Sequence, residues 1–164
     1  MINPKVETAF NEQIKYEIES AMLYYHMAGW FAAQGFDGMA SWMLVQKGEE
    51  LSHAEKFFAH IAARGGTPKV AVASPGDAVW KTPLEVFQAA YKHELFITGR
   101  INTLVDICRK ENDNPGAEFL QWFVREQVEE EEQVSKIVQK LERIGASGSG
   151  LVMMDKETGK RKAS

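Results

Sequence analysis

Glu50-Leu51-Ser52-His53 sets a carboxylate and an imidazole three residues apart within GEELSHAEKFF. On a helix, residues at i and i+3 lie on one face about a turn apart. Together they can ligate one metal ion. Taken alone, the pair reads more readily as a surface glutamate with a core histidine, because so short a motif is only a hypothesis. Its company changes that reading. Glu17, Glu94, Gln127 and Glu130 fall at spacings that can bring all six side chains to one level of a helical bundle.

The elements that must position them follow from punctuation and periodicity. Asn3-Pro4 is an N-cap followed by proline at the first helical position, so a first helix runs from there to about Gln34. Gly35-Phe36-Asp37-Gly38 makes the turn. In that helix Phe10, Glu17, Tyr24 and Phe31 share one heptad position, which puts Glu17 inside an aromatic and apolar stripe. A second helix covers roughly Gly38 to Arg64 and stops at Gly65-Gly66-Thr67-Pro68. Its inner stripe is Met39, Met43, Gln46, Glu50, His53, Phe57 and His60. Residues 66–82 lack helical periodicity and read as an extended connection, VAVAS included. Thr82-Pro83, with Glu85 three residues after the cap, opens a third helix that ends near Glu111. Its stripe carries Glu94 among Phe87, Ala90, Ile97 and Ile101. A fourth helix from about Pro115 to Ile144 carries Gln127 and Glu130 among Leu120, Phe123, Val134 and Ile137. Each of the four core seams is interrupted by polar residues.

The interruptions converge. Residues equally far from a tight turn come level in an antiparallel hairpin. The midpoint of Glu17 and His53 is residue 35, in the turn placed by glycine, and that of Glu94 and Glu130 is residue 112, in the Asn-rich turn. Each polar set lies roughly 18 residues from its turn, or about 27 Å along the axis. Adding 77 to 17, 50 and 53 gives 94, 127 and 130, a pseudo-repeat of two helical hairpins. A connection of about 16 residues can reach on the order of 50 Å, enough to return along a helix of about 40 Å. The expected fold class is all-α: a four-helix bundle over about 4–145 with one long crossover between the second and third helices. Residues 146–164 add a glycine-rich hinge, one short amphipathic turn at LVMMDKE, and a disordered, solvated GKRKAS end. The whole chain is read as one domain.

Burying these carboxylates without partners would cost several kcal/mol each, and no lysine or arginine lies in the four stripes. Either they are protonated or cations sit among them; a polar layer that fixes bundle register is the bland alternative. In the metal reading Glu50 bridges, Glu17 and His53 complete one ion, and Glu94 with Glu130 hold another. Oxygen-rich ligation with one imidazole suits iron or manganese better than structural zinc.

Composition narrows the classes. The chain has 164 residues, 45% hydrophobic and 26% charged, ordinary values for a globular domain. A net charge of −4 argues against a general nucleic-acid binder. Cys108 is the sole cysteine, which excludes an internal disulfide. MINPKVETAF has no apolar signal core, and no run of about 18 apolar residues occurs, so a cytoplasmic protein with no membrane partner is expected.

From NEQIKYE through GEELSHAEKFF, YKHE and FLQWFVREQVEEEE to the GSGL segment, the chain resembles the ferritins, and within them the bacterial non-haem type. The resemblance implies a di-iron ferroxidase centre, with Glu17, Glu50 and His53 at the first iron and Glu50, Glu94 and Glu130 at the second, Gln127 adjacent. It further implies a third iron position at Glu49, Glu126, Glu129 and Glu130, and Tyr24 as a one-electron donor beside the centre. Where the ferritin-like pattern carries a second Glu-x-x-His, this chain has Gln127-Val128-Glu129-Glu130, so the two iron positions should be unequal. The haem-binding methionine of bacterioferritins is replaced by Leu51, so no haem is expected. The function implied is iron storage: Fe(II) oxidised by dioxygen or hydrogen peroxide, then kept as a hydrated ferric oxide inside a cage of 24 subunits. A di-iron oxidoreductase or peroxidase without storage is the alternative, and a DNA-protecting helical oligomer, hinted at by GKRK, a more distant one.

Overall fold

The structure is a computed structural model that describes residues 1–163. Its helices are α1 (Pro4–Ala33), α2 (Asp37–Ala63), α3 (Pro83–Lys110), α4 (Asn114–Ile144) and α5 (Gly148–Thr158). No strand occurs among the described residues, and VAVAS is extended loop. Among the described residues no helix is long and apolar enough to cross a membrane.

Helix starts are set by caps. The Asn3 side chain accepts from Lys5 N and Thr82 accepts from Glu85 N, each with proline at the first position. Asp113 accepts from Gly116 N to start α4 and also pairs with Arg64 at 2.7 Å, pinning the end of α2 to the start of α4. Gly35, at φ +78°, turns α1 into α2 in a conformation that disfavours other residues.

Cross-bundle contacts fix the topology. Phe31 meets Phe87, Tyr16 meets Phe96, and Glu12 pairs with Arg100, so α3 runs antiparallel to α1 and hence parallel to α2. The crossover is laid along α1. Asn11 exchanges hydrogen bonds with Thr67 O and Lys69 N near one end, while His26 meets Ala78 O and Trp30 donates to Trp80 O near the other. The product is the four-helix bundle with one long crossover that the loop length requires.

The core is split in two. One apolar cluster gathers around Tyr24, Phe31, Met39, Phe87 and Leu141. The other gathers around Phe10, Phe57, Ile101 and Phe123. Between them lies a buried polar layer of Gln13, Glu17, Gln46, Glu50, His53, Glu94, Gln127 and Glu130.

The C-terminal segment differs from the sequence expectation. The glycine-rich stretch is not a hinge but the first turn of α5, capped by Ser147, which accepts from Gly150 N. Nor is the tail wholly solvated: Arg161 pairs with Glu49 and stacks over Trp42. Ser164 lies outside the described residues. The cause is tertiary. The α2 N-cap, Phe36, has no side chain able to cap, and Asp155 of α5 fills that place by accepting from Met39 N at 2.8 Å. A carboxylate there also complements the helix dipole. The fit demands glycine, since a methyl group on Gly38 would lie 1.9 Å from the Asp155 carbonyl oxygen. Gly38→Ala should therefore loosen α5, at a cost of about 1–3 kcal/mol for overpacking. Amide exchange across 148–158 should accelerate while α1 to α4 stay protected. Unchanged protection of α5 would refute this account of its docking.

Candidate metal centre

The polar layer is closed to bulk solvent. Glu17, Glu50, His53, Glu94, Gln127 and Glu130 are all 3% exposed or less. Glu17 and Glu50 face one another because α1 and α2 are antiparallel about Gly35, and His53 stands one turn beyond Glu50. His53 Nδ1 lies 3.2 Å from Glu50 Oε2 and 3.8 Å from Glu17 Oε2. One donor atom from each of these three residues lies within 4.8 Å of the others, close enough to share an ion. Glu17 Oε2 is buried with no hydrogen-bond partner. A buried carboxylate oxygen left so is an expensive feature that a cation would satisfy.

The opposite side is built differently. Tyr24 donates to Glu94 Oε1. Gln127 Nε2 approaches Glu94 Oε2 at 3.2 Å, with the Glu94 carbonyl and Thr98 Oγ1 each at 3.3 Å. Gln127 thus presents a donor to Glu94. Glu130 Oε2 accepts from Gln46 Nε2 at 2.8 Å, and the same nitrogen reaches Glu50 Oε1 at 3.0 Å. One amide from α2 therefore ties together carboxylates of α2 and α4.

Protons follow from burial and neighbours. Burial raises the Glu17 carboxyl above its ordinary value, with the charge of Glu50 adding to it. Burial also raises Glu94 well above the carboxylate range, helped by Glu50 and Glu130, and pushes Glu130 up to about 8. Glu50 goes the other way. Burial opposes its charge, but His53 and Gln46 outweigh that and hold it low. Burial alone would lower His53; the Glu17 and Glu50 carboxylates beside its ring override that and raise the imidazole to about 11. Tyr24 is raised by burial and by Glu94, so it remains a neutral donor. Near neutrality the layer pairs an imidazolium at His53 with an ionised Glu50, while burial favours the neutral form of Glu94 and Glu130.

A second grouping brings His53, Glu126 and Glu130 together within the same 4.8 Å limit. It faces a cleft of about 340 Å³ lined by Glu49, His53, Trp122 and Glu126 among others. Two residues expected in it are outside the grouping: Glu49 lines the same cleft but pairs with Arg161, and Glu129 is exposed. Neither grouping includes Glu94. Sequence reasoning gave no role to Gln13, which donates to Glu17 Oε1 at 2.8 Å, or to Gln46 beyond its place in the stripe. Both stand four residues before a buried glutamate on the same helix face, and that spacing was the available signal.

Two consequences can be measured. Ligation requires deprotonated donors, so metal binding must expel the protons on His53 and Glu130. Calorimetry with zinc(II) at pH 7, in buffers of different ionisation enthalpy, should show about two or more protons released per subunit; release of none would contradict these protonation states. Glu130→Gln keeps an acceptor for Gln46 but removes an acid whose folded pKa of about 8 lies above its unfolded value. Such an acid costs stability progressively as pH rises from the unfolded value to the folded one. The melting temperature of metal-free Glu130→Gln should exceed that of the parent by about 5 °C at pH 8, with the gap closing towards pH 5. A gap that does not change with pH would contradict the raised pKa.

Comparison with known proteins agrees with this architecture. The Ferritin family model, described as a ferritin-like domain, matches residues 7–144. A bacterial non-heme ferritin of Bacteroides fragilis is 41% identical over 161 residues, covering 98% of this chain and all of the relative. One from Escherichia coli O6:H1 is 36% identical over 157 residues, covering 96% of this chain and 95% of the relative. Among solved structures, an open-pore ferritin from the hyperthermophilic archaeon Archaeoglobus fulgidus superimposes with a TM-score of 0.96 at 42% identity, covering 99% of this chain and 100% of that one. A closed form engineered from the Archaeoglobus fulgidus ferritin gives 0.98 at 41% identity over the whole of both chains. The family match and the near-complete coverage at these identities carry one conclusion: the chain belongs to the ferritin family.

Proposed function

We propose that the protein stores iron by oxidising Fe(II) at the buried layer and collecting Fe(III) as a hydrated oxide inside a cage of 24 subunits. The observation that carries the reading is the Glu17, Glu50 and His53 cluster, whose Glu17 Oε2 is buried between the two apolar clusters with no hydrogen-bond partner among the described residues. Glu50 is the shared ligand, Glu17 and His53 complete the first position, and Glu94 with Glu130 form the second. Gln127 holds Glu94 in place. Fe(II) is the substrate. A pair of ions yields two electrons together, so dioxygen is reduced to hydrogen peroxide, or hydrogen peroxide to water, with no one-electron oxygen product set free. Tyr24, donating to Glu94, is placed to supply the fourth electron when three Fe(II) are oxidised and dioxygen is reduced to water, its proton passing to Glu94 once that carboxyl is ionised. Glu126, Glu129, Glu130 and Glu49 receive iron on its way to the mineral.

Filling is ordered. The first position already has an ionised Glu50 and an oxygen awaiting a cation, while Glu94 and Glu130 hold protons and accept from Tyr24, Gln127 and Gln46. A first ion beside Glu50 favours ionisation of the other two, and so prepares the second position. The cleft beside His53 is the one feature that favours a different reading, an oxidoreductase acting on a small substrate there.

Iron stoichiometry separates the two. Metal-free protein loaded with excess Fe(II) in air should elute from a sizing column as one very large species carrying iron far beyond its ligand count. Two or three irons per subunit on a small oligomer would sink storage and favour the oxidoreductase. Glu50→Ala should keep assembly but slow initial Fe(II) oxidation about a hundredfold or more, as expected when the shared ligand is lost. Oxidation at the parental rate would remove Glu50 from the centre.

A further inference from the structure

The C-terminal tail does something that neither the fold nor the proposed chemistry requires. After α5 ends at Thr158, the chain returns to the cleft: Ala163 lines it, and Arg161 pairs with Glu49, another of its lining residues. Arg161 Nη2 is 2.5 Å from Glu49 Oε2, and the guanidinium lies 4.2 Å over the Trp42 ring. Both charged side chains are only 11–12% exposed, so the pair is screened far less than a surface bridge. Among the described residues, buried Arg161 Nη1 has no hydrogen-bond partner. Lys56, also lining the cleft, lies over Trp122 and donates to Ser52 Oγ.

We propose that Arg161 is a built-in competitor for the third iron position. Its guanidinium occupies the Glu49 carboxylate, and a metal ion can recruit Glu49 to join Glu126 and Glu130 only by displacing it. The docked tail also narrows the cleft through which His53 and Glu126 are reached. Local iron would then open its own way out: the third position fills when free cation outcompetes the arginine, and the strap lifts as it fills. This rests on the reading of Glu49 and Glu126 as part of a third position. Competition between two cations for one carboxylate requires no change in the paired site beneath.

Arg161→Ala and Arg161→Gln, the second retaining a planar group over Trp42, are the variants to compare. Assembled, metal-free protein is titrated with zinc(II), a redox-inert probe, and the binding classes are resolved by calorimetry. The parent should bind two ions tightly and a third weakly. Both variants should tighten the third class about tenfold, the order expected for losing a charge-assisted pair, and leave the first two unchanged. In a Glu49→Gln background the same substitutions should give no gain. Equal third-site affinity with and without Arg161, absence of a third class in every protein, or a gain that persists with Glu49→Gln would each overturn the proposal. Absence of the first two classes is a separate outcome, which would refute the paired site itself.

Discussion

Several carboxylates can share a dry helical core only if positive charge is supplied among them, and the rest of this structure depends on that constraint. In the metal-free state protons supply it, on His53 and on Glu94 and Glu130. The arrangement is tolerable but not favourable. Carboxyls held neutral by burial are poor substitutes for the apolar side chains such a layer would otherwise contain. The two apolar clusters on either side do the work of holding four helices together at this depth. Stability resides in the halves, and function in the layer between them.

The bundle was legible because its signals are local or arithmetic. Asn3-Pro4, Thr82-Pro83 and the glycines at 35 and 145 mark helix ends by capping chemistry and backbone conformation that any reader of sequence can apply. The level of the acids followed from hairpin symmetry, since a rise fixed per residue turns equal chain distance into equal height. Even the crossover was forced, because a long connection with no periodicity in a small bundle has to travel the bundle's length. Its path along α1, tethered from Asn11 to Trp30, agrees with that.

What escaped was held by partners distant in sequence. Gly148 and Gly150 look like a hinge until Ser147 caps them and Asp155 finds the uncapped start of α2. GKRK looks like a solvated end until Arg161 meets Glu49 and Trp42, more than a hundred residues away. Gln46 has an ordinary place in the α2 stripe, and nothing local tells that its amide reaches Glu130 on α4. Helix periodicity says which face is inward. It does not say what stands opposite.

The pseudo-repeat carries the most chemical information where it fails. The offset of 77 maps Glu17, Glu50 and His53 onto Glu94, Gln127 and Glu130, but it maps Gln13 and Gln46 onto Ala90 and Phe123. The amides that orient the first pair of glutamates thus have no counterparts in the second hairpin. Glu94 is instead held by Tyr24 from α1 and by Gln127, and Glu130 by Gln46 from α2. Support flows from the first hairpin to the second. The second pair of acids is consequently fully braced only when the two hairpins are packed together, Gln127 alone holding Glu94 from within the second, whereas Glu17, Glu50 and His53 are assembled within one. Any ion held at Glu94 and Glu130 therefore depends on the packing between hairpins as much as on its own ligands. The inequality that Gln127 announces in the sequence is, in the structure, a property of how the whole layer is braced.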